Sequence, residues 1–112
     1  MSTASARLDL DAVRANAGQA SQLLKALGNE KRLMILCLLV EGERSVGELN
    51  ARLDLSQSAL SQHLAVLREE RLVSTRRDGQ SIFYSLPAGP AQRILETLHG
   101  IYCDVRPLCE HT

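Results

Sequence analysis

The sequence predicts a mainly α (α+β) domain, a winged helix-turn-helix with the element order α-α-α-α-β-β-α. Two observations carry this prediction: two helical segments with serine caps follow one another between residues 45 and 70, and a β-hairpin signal comes directly after them. A chain of 112 residues with 45% hydrophobic residues suits one domain with a single modest core. We therefore expect residues 1–112 to form one domain, with flexible tails at 1–8 and 106–112.

The first two helices are predicted from the spacing of apolar residues. Apolar side chains recur at helical intervals from about Leu10 to Leu27, and Gly28 ends this first helix. Asn29 is a suitable N-cap for a second helix, which carries the apolar run from Leu33 to Val40. Because that run is apolar on every side, we expect the second helix to be the buried centre of the domain.

Two further helices are predicted from their capping residues. The stretch Ser45-Val46-Gly47-Glu48 has the S-x-x-E form of a capping box and begins a third helix that runs to about Leu53. Ser56 caps a fourth helix that runs to about Glu70. The inward face of this fourth helix is predicted from residues at helical spacing, Leu60, Leu64, Leu67 and Arg71.

A β-hairpin and a last helix complete the predicted fold. Val73 to Arg77 and Ser81 to Leu86 are predicted strands, and they flank Asp78-Gly79, which is a strong turn signal. The last helix is predicted from Pro90 to about Val105, and Pro107 ends it.

The outer face of the fourth helix and the tip of the hairpin carry the candidate DNA contacts. Small and amide-bearing side chains oppose the leucines, so this helix can enter the major groove closely, and Gln62 can pair with adenine through two hydrogen bonds. His63 lies on the flank of the leucine stripe, where packing or capping is at least as well supported as DNA contact. The candidate contacts to double-stranded operator DNA are Gln57, Ser58, Ser61, Gln62, His63, Arg76 and Arg77.

The charge balance limits how such a chain can bind DNA. Lys and Arg number 13, as do Asp and Glu, so the net charge is zero. Positive charge must therefore be placed locally and doubled by dimerisation. Arg76 and Arg77 adjoin the hairpin turn, where they either contact the DNA backbone or minor groove or only keep the tip soluble.

Several classes of protein are not expected from the sequence. The longest apolar run, Leu33 to Val40, is too short to span a bilayer, and the first residues carry no secretory signal. We therefore expect a cytoplasmic protein with reduced thiols and no membrane partner. No phosphate loop, H-E-x-x-H or G-x-S-x-G motif occurs, so an enzyme is not expected. A protein-interaction module with the same fold remains an alternative.

Three motifs resemble the ArsR/SmtB family of bacterial repressors: LKALGNEKRL at 24–33, SVGEL at 45–49 and LSQSALSQHL at 55–64. The likeness runs from about Leu23 to Cys103. It implies a homodimer through the first and last helices, in which two recognition helices read a palindromic operator.

The metal sites common in that family are not apparent in this sequence. The site on the third helix would need cysteines near Ser45 and Gly47, and the site on the last helix would need further ligands beside His99. We therefore expect no metal or other cofactor.

Three cysteines are present, Cys37, Cys103 and Cys109. The contexts of Cys37 and Cys103 resemble the persulfide-sensing branch of the family, the HlyU/SqrR/BigR type. This resemblance implies a redox-sensing repressor that binds operator DNA when reduced. A persulfide or polysulfide inducer then bridges Cys37 and Cys103, and the DNA is released.

Cys109 departs from the two-cysteine pattern of that branch. It is either a spare thiol or one that resolves a persulfide on Cys103. It also keeps an alternative open, because Cys103 and Cys109, with Cys37 or His111, could bind As(III) or another thiophilic metal.

Overall fold

A computed structural model describes residues 9–102 of the chain, which form five helices and three short strands. In chain order these are α1 (Leu10–Leu27), α2 (Glu30–Glu41), β1 (Arg44–Ser45), α3 (Val46–Arg52), α4 (Gln57–Glu69), β2 (Ser74–Asp78), β3 (Ser81–Ser85) and α5 (Pro90–Tyr102). The mainly helical winged helix-turn-helix fold predicted from the sequence is confirmed. None of the helices within residues 9–102 is long and apolar enough to cross a membrane.

The helix boundaries follow the capping residues closely. Asn29 caps α2, and its side-chain oxygen accepts a hydrogen bond from the backbone N–H of Arg32 at 3.0 Å. Gly28 separates α1 from α2, and a Cβ at this position would lie only 3.0 Å from the carbonyl oxygen of Leu24. A side chain at this position would therefore press against the last turn of α1.

The sheet contains one strand that the sequence analysis missed. The segment Arg44–Ser45, predicted as the end of a turn and a helix cap, is the strand β1, which pairs with β3. The three antiparallel strands lie in the order β1-β3-β2, so the element order is corrected to α-α-β-α-α-β-β-α. A strand of two residues is too short to show alternation, and it exists because β3 offers it an open edge.

The hairpin turn lies one residue later than predicted. Asp78 pairs with Ser81 in the ladder, so the two residues at the tip are Gly79 and Gln80. Gly79 has φ +65°, in the left-handed region that glycine adopts without strain.

The core lies between α2, α3, α4 and the inner face of the sheet. Its fully buried large side chains are Ile35, Leu36, Leu49, Leu60 and Leu67. The leucines of α4 point inward as predicted, but Arg71 does not continue that face. It lies beyond the end of α4 and is exposed, because the helix ends at Glu69 and Arg71 itself takes the left-handed conformation, with φ 60°.

The second helix is not buried on every side, contrary to the prediction. Ile35, Leu36 and Leu39 are buried, whereas Met34 and Val40 are 42% and 40% exposed. Cys37 is also exposed. The single chain has too few elements to surround this helix, so one of its faces remains open.

Candidate DNA interface and thiol site

The third helix is positioned by a complete capping box. Ser45 Oγ accepts a hydrogen bond from the backbone N–H of Glu48 at 3.1 Å, and Glu48 Oε1 accepts one from the backbone N–H of Ser45 at 2.8 Å. Ser45 also pairs with Phe83 of β3. The first helix of the helix-turn-helix is therefore joined to the wing (residues 74–85) through the strand that precedes it.

The fourth helix presents a polar outer face over a leucine inner face. Its N-cap is Ser56, whose Oγ accepts a hydrogen bond from the backbone N–H of Ala59 at 3.1 Å. Four predicted DNA contacts are exposed on this helix, Gln57, Ser58, Ser61 and Gln62. They stand together on the side away from Leu60 and Leu64, which gives the helix a hydrogen-bonding surface of the size that enters a major groove.

His63 differs from its polar neighbours because it is half-buried. Burial lowers the pKa of its imidazole, and the positive charges of Arg32 and Lys31 lower it further. The lowered pKa favours the neutral form of the ring near pH 7. This arrangement agrees with the packing alternative that the sequence left open.

The two wing arginines, which the sequence treated alike, differ in the structure. Both are exposed on β2. Arg76 is engaged, since its Nε and Nη2 donate hydrogen bonds to the two carboxylate oxygens of Glu43 at 2.8 and 2.7 Å. Among the residues described, no ion pair or hydrogen bond involves the side chain of Arg77. Only Arg77 therefore offers an uncommitted charge at the wing.

Two residues that hold this surface together were missed by the sequence analysis. Glu43 lies 33 residues before its partner Arg76, and no local pattern connects them. Arg68 on α4 donates a hydrogen bond to the hydroxyl of Tyr84 on β3, which is otherwise buried. The period of two along β3 places Tyr84 on the same face as Ile82, but nothing in the sequence indicates the partner of its hydroxyl.

The thiol of Cys37 lies at a cavity between α2 and α5. This cavity has a volume of about 270 Å³, and its lining includes Cys37, Glu41, Leu95 and His99. Burial raises the pKa of the Cys37 thiol, and the negative charge of Glu41 raises it further. Cys37 is therefore a protonated thiol near pH 7 that is reachable from solvent.

The remaining predicted thiol and metal ligands lie beyond the described part of the chain. Cys103, Cys109 and His111 are outside residues 9–102, as are the predicted tails at 1–8 and 106–112. Within residues 9–102, no group of three or more His, Cys, Asp or Glu side chains is arranged to hold a metal ion.

Comparison with known proteins identifies the family of the chain. The model of bacterial regulatory proteins of the arsR family matches residues 29–75. The transcriptional activator HlyU of Vibrio cholerae is 51% identical over 99 residues, which cover 88% of this chain and 92% of that protein. The chain belongs to the ArsR family of bacterial regulatory proteins.

Other ArsR-family members show the same fold and comparable identity. The biofilm growth-associated repressor of Agrobacterium fabrum is 47% identical, over 86% of this chain and 82% of its own. The structure of reduced HlyU from Vibrio cholerae has a TM-score of 0.77 and 53% identity, covering 81% of this chain and 96% of that one. The repressor BigR from Xylella fastidiosa has a TM-score of 0.79 and 42% identity, covering 86% and 98%. The resemblance inferred from the sequence motifs is confirmed.

Proposed function

We propose that this ArsR-family regulator is a homodimeric dithiol repressor that binds operator DNA when reduced and releases it when a persulfide links Cys37 to Cys103. The DNA is read by the exposed face of α4, through Gln57, Ser58, Ser61 and Gln62, and by Arg77 of the wing. His63 supports this surface by packing. The inducer is a persulfide or polysulfide, and no cofactor is required.

The observation that carries the proposal is the position of Cys37. Its thiol lies at the cavity between α2 and α5 that His99 also lines. His99 precedes Cys103 by four residues in the sequence. An accessible thiol on the helix that faces this end of the chain is the feature that a bridge between the two cysteines requires.

In the bridging reaction, the persulfide RSSH is the oxidant for the two cysteine thiols. The Cys103 thiolate attacks the sulfane sulfur of RSSH, forming a Cys103 persulfide and releasing RSH. Cys37 then loses its proton and attacks the inner sulfur of that persulfide, whose S–S bond breaks; Cys37–S–S–Cys103 forms and the outer sulfur leaves as H₂S. A second RSSH, added before closure, lengthens the bridge by one sulfur and releases a second RSH. Because burial and Glu41 keep Cys37 protonated, Cys103 is assigned the first attack.

The names of the relatives support a role in the regulation of transcription, by repression or by activation. Two are named as repressors and one as an activator. One structure is of HlyU in its reduced form, and the distinction of a reduced form for that protein agrees with a thiol-based switch. The assignment of this chain as a repressor follows the two repressors.

Exposed apolar residues at the two ends of the described chain support the homodimer. Leu10 and Leu24 on α1 are 63% and 60% exposed, and Ile101 and Tyr102 on α5 are 55% and 69% exposed. A single chain gains nothing from apolar side chains in water, so their presence on these two helices favours an interface with a second copy.

The proposal is tested by DNA release. A fluorescent duplex, selected by the reduced protein from a random pool, is titrated with the protein before and after treatment with glutathione persulfide. We expect the treated wild type and Cys109→Ser to release the duplex, while Cys37→Ser and Cys103→Ser stay bound. If both single variants still release DNA, the sensing proposal is wrong.

Mass spectrometry of the same samples separates the proposal from its metalloid alternative. A bridge of two or more sulfurs between the Cys37 and Cys103 peptides is the expected product. Stoichiometric binding of As(III) that releases DNA, with no sulfur adduct formed by persulfide, would replace sulfur sensing with metalloid sensing.

A further inference from the structure

We propose that Glu43 and Arg76 form a clasp that holds the wing against the end of α2, so that Arg76 positions the wing and Arg77 provides its cationic contact to the DNA backbone. This inference rests on DNA binding by the chain and not on persulfide sensing. It assigns different roles to two adjacent arginines that the sequence cannot distinguish.

The clasp spans the whole width of the sheet. Phe83, on the central strand β3, pairs with Ser45 of β1 on one side and with Arg76 of β2 on the other. The guanidinium carbon of Arg76 lies 4.6 Å from the centroid of the Phe83 ring. Arg76 therefore crosses over Phe83 and meets Glu43 on the far side of the sheet, which joins the two edge strands over the central one.

The charge of Arg76 is committed within the protein. The Glu43 carboxylate receives two hydrogen bonds from the guanidinium, at 2.8 and 2.7 Å, in the bidentate geometry that gives the strongest ion pairs. These bonds lower the pKa of the Glu43 carboxyl. The remaining Nη1 lies 3.8 Å from Asp78 Oδ2. A DNA phosphate approaching Arg76 would meet two carboxylates beside it, so Arg76 adds little net attraction.

Arg77 lies on the opposite side of the strand from this clasp. Successive residues of a strand point to opposite faces, so Arg77 and Arg76 diverge. Arg77 is exposed and pairs in the ladder with Ile82. Its cationic group is thus the one that the wing can offer to phosphate.

The carboxylate of the clasp sits next to the helix that carries Cys37. α2 ends at Glu41, and Gly42 follows with φ 154° before the chain reaches Glu43. Glu43 lies two residues beyond the end of α2, so the clasp links the wing to the segment that follows that helix.

The test compares three glutamine variants of the reduced full-length protein, Glu43→Gln, Arg76→Gln and Arg77→Gln, with the double variant Glu43→Gln/Arg76→Gln. Each is titrated with the fluorescent duplex selected by the wild type, over a series of salt concentrations. No inducer is present, so a failure of the sensing proposal does not affect the result. Circular dichroism confirms that each variant is folded.

The clasp predicts a loss of affinity from removing either partner. Glu43→Gln and Arg76→Gln should each weaken binding by a similar factor, about fivefold to tenfold, and the double variant should be no weaker than either single one. The slope of log affinity against log salt should be unchanged in all three. Arg77→Gln should reduce the magnitude of that slope by about 2, since a dimer loses two phosphate contacts.

The opposite outcomes overturn the proposal. If Arg76 were a phosphate contact restrained by Glu43, then Glu43→Gln would tighten binding, and Arg76→Gln would reduce the salt slope. Removing an acidic group near DNA ordinarily favours binding, so weaker binding by Glu43→Gln goes against the simple electrostatic trend. Amide hydrogen exchange gives a second readout. Exchange in residues 74–85 that is no faster in Glu43→Gln than in the wild type would also contradict the clasp.

Discussion

At the scale of single residues, the protonation state of Cys37 follows from its surroundings. The thiol lies in a partly enclosed cavity, and Glu41 stands one helical turn further along the same helix. Burial and the nearby carboxylate both disfavour the thiolate, so both raise the pKa of the thiol. Cys37 is consequently a slow nucleophile, suited to closing a bridge after another thiol has reacted.

This leads to a prediction for the pH dependence of Cys37 alkylation in a Cys103→Ser/Cys109→Ser background. The rate with iodoacetamide should rise with pH, with a midpoint above that of a cysteine in a short peptide. Glu41→Gln should move the midpoint to lower pH, because a negative charge that opposes thiolate formation is gone. The pKa of the thiol should still lie above that of a cysteine in a short peptide, since burial is the larger cause of its increase.

Glu30→Gln, at the other end of α2, provides the matched control, and its midpoint should equal that of the parent. A midpoint that stays fixed or moves upward in Glu41→Gln would show that the carboxylate does not act on the thiol.

At the scale of the elements, α4 ends with a residue other than glycine in the left-handed backbone conformation. The backbone N–H of Leu72 donates to the carbonyl of Leu67 at 2.9 Å, and that of Arg71 donates to Arg68 at 2.9 Å. This is the Schellman pattern, in which the residue after the C-cap adopts the left-handed conformation. That residue is Arg71, with φ 60°, at the position where this motif usually has glycine.

Arg71→Gly should therefore stabilise the protein. Relief of the left-handed conformation, offset by the greater freedom of glycine in the unfolded chain, gives a net gain of about 0.5–1 kcal/mol over Arg71→Ala. Alanine is the matched control, because it loses the same charge and keeps the Cβ. Urea unfolding at one protein concentration measures the difference. An alanine variant as stable as the glycine variant would contradict this account.

The sequence predicted elements whose signals are local and missed those that depend on distant partners. The serine caps, the leucine spacing of α4 and the hairpin glycine are each read within a few residues, and they correctly indicated two helices, α3 and α4, and the wing. The strand β1 was missed because its two residues take their conformation from β3. The ion pair between Arg76 and Glu43 was missed because the two residues are 33 positions apart in the sequence.

The second helix shows the same limit in another form. A run that is apolar on all sides predicts burial, but it does not say which neighbour covers each face. The chain itself covers Ile35 and Leu36, and it leaves Met34 and Cys37 open. The exposure of the thiol thus depended on the packing of α5, which no local pattern describes.

At the scale of the whole molecule, the proposed dimer should depend on the apolar residues exposed on α1 and α5. Leu24→Glu and Ile101→Glu each place a charge where the interface is expected. Because the proposed dimer has two-fold symmetry, each substitution occurs at two positions in the interface. The loss of two buried leucine-sized contacts, about 3 kcal/mol, should raise the dimer dissociation constant at least about a hundredfold. Sedimentation velocity over a range of protein concentrations measures the change.

Ala51→Glu, an equally polar change on the exposed side of α3, is the control and should leave the dimer intact. If both interface variants sediment as the wild type does, the two copies meet through another surface.

The strand β1 has a mechanical consequence for such a dimer. It leads directly into α3 and pairs with β3, so it connects α3 to the wing. Adjacent half-sites on DNA are about 34–36 Å apart, which places each recognition helix at a lever arm of about 17 Å from the two-fold axis. A rotation of about 5° then moves that helix by about 1.5 Å, half the length of a hydrogen bond. The proposed sulfur bridge would therefore need to produce only a rotation of this size to weaken DNA binding.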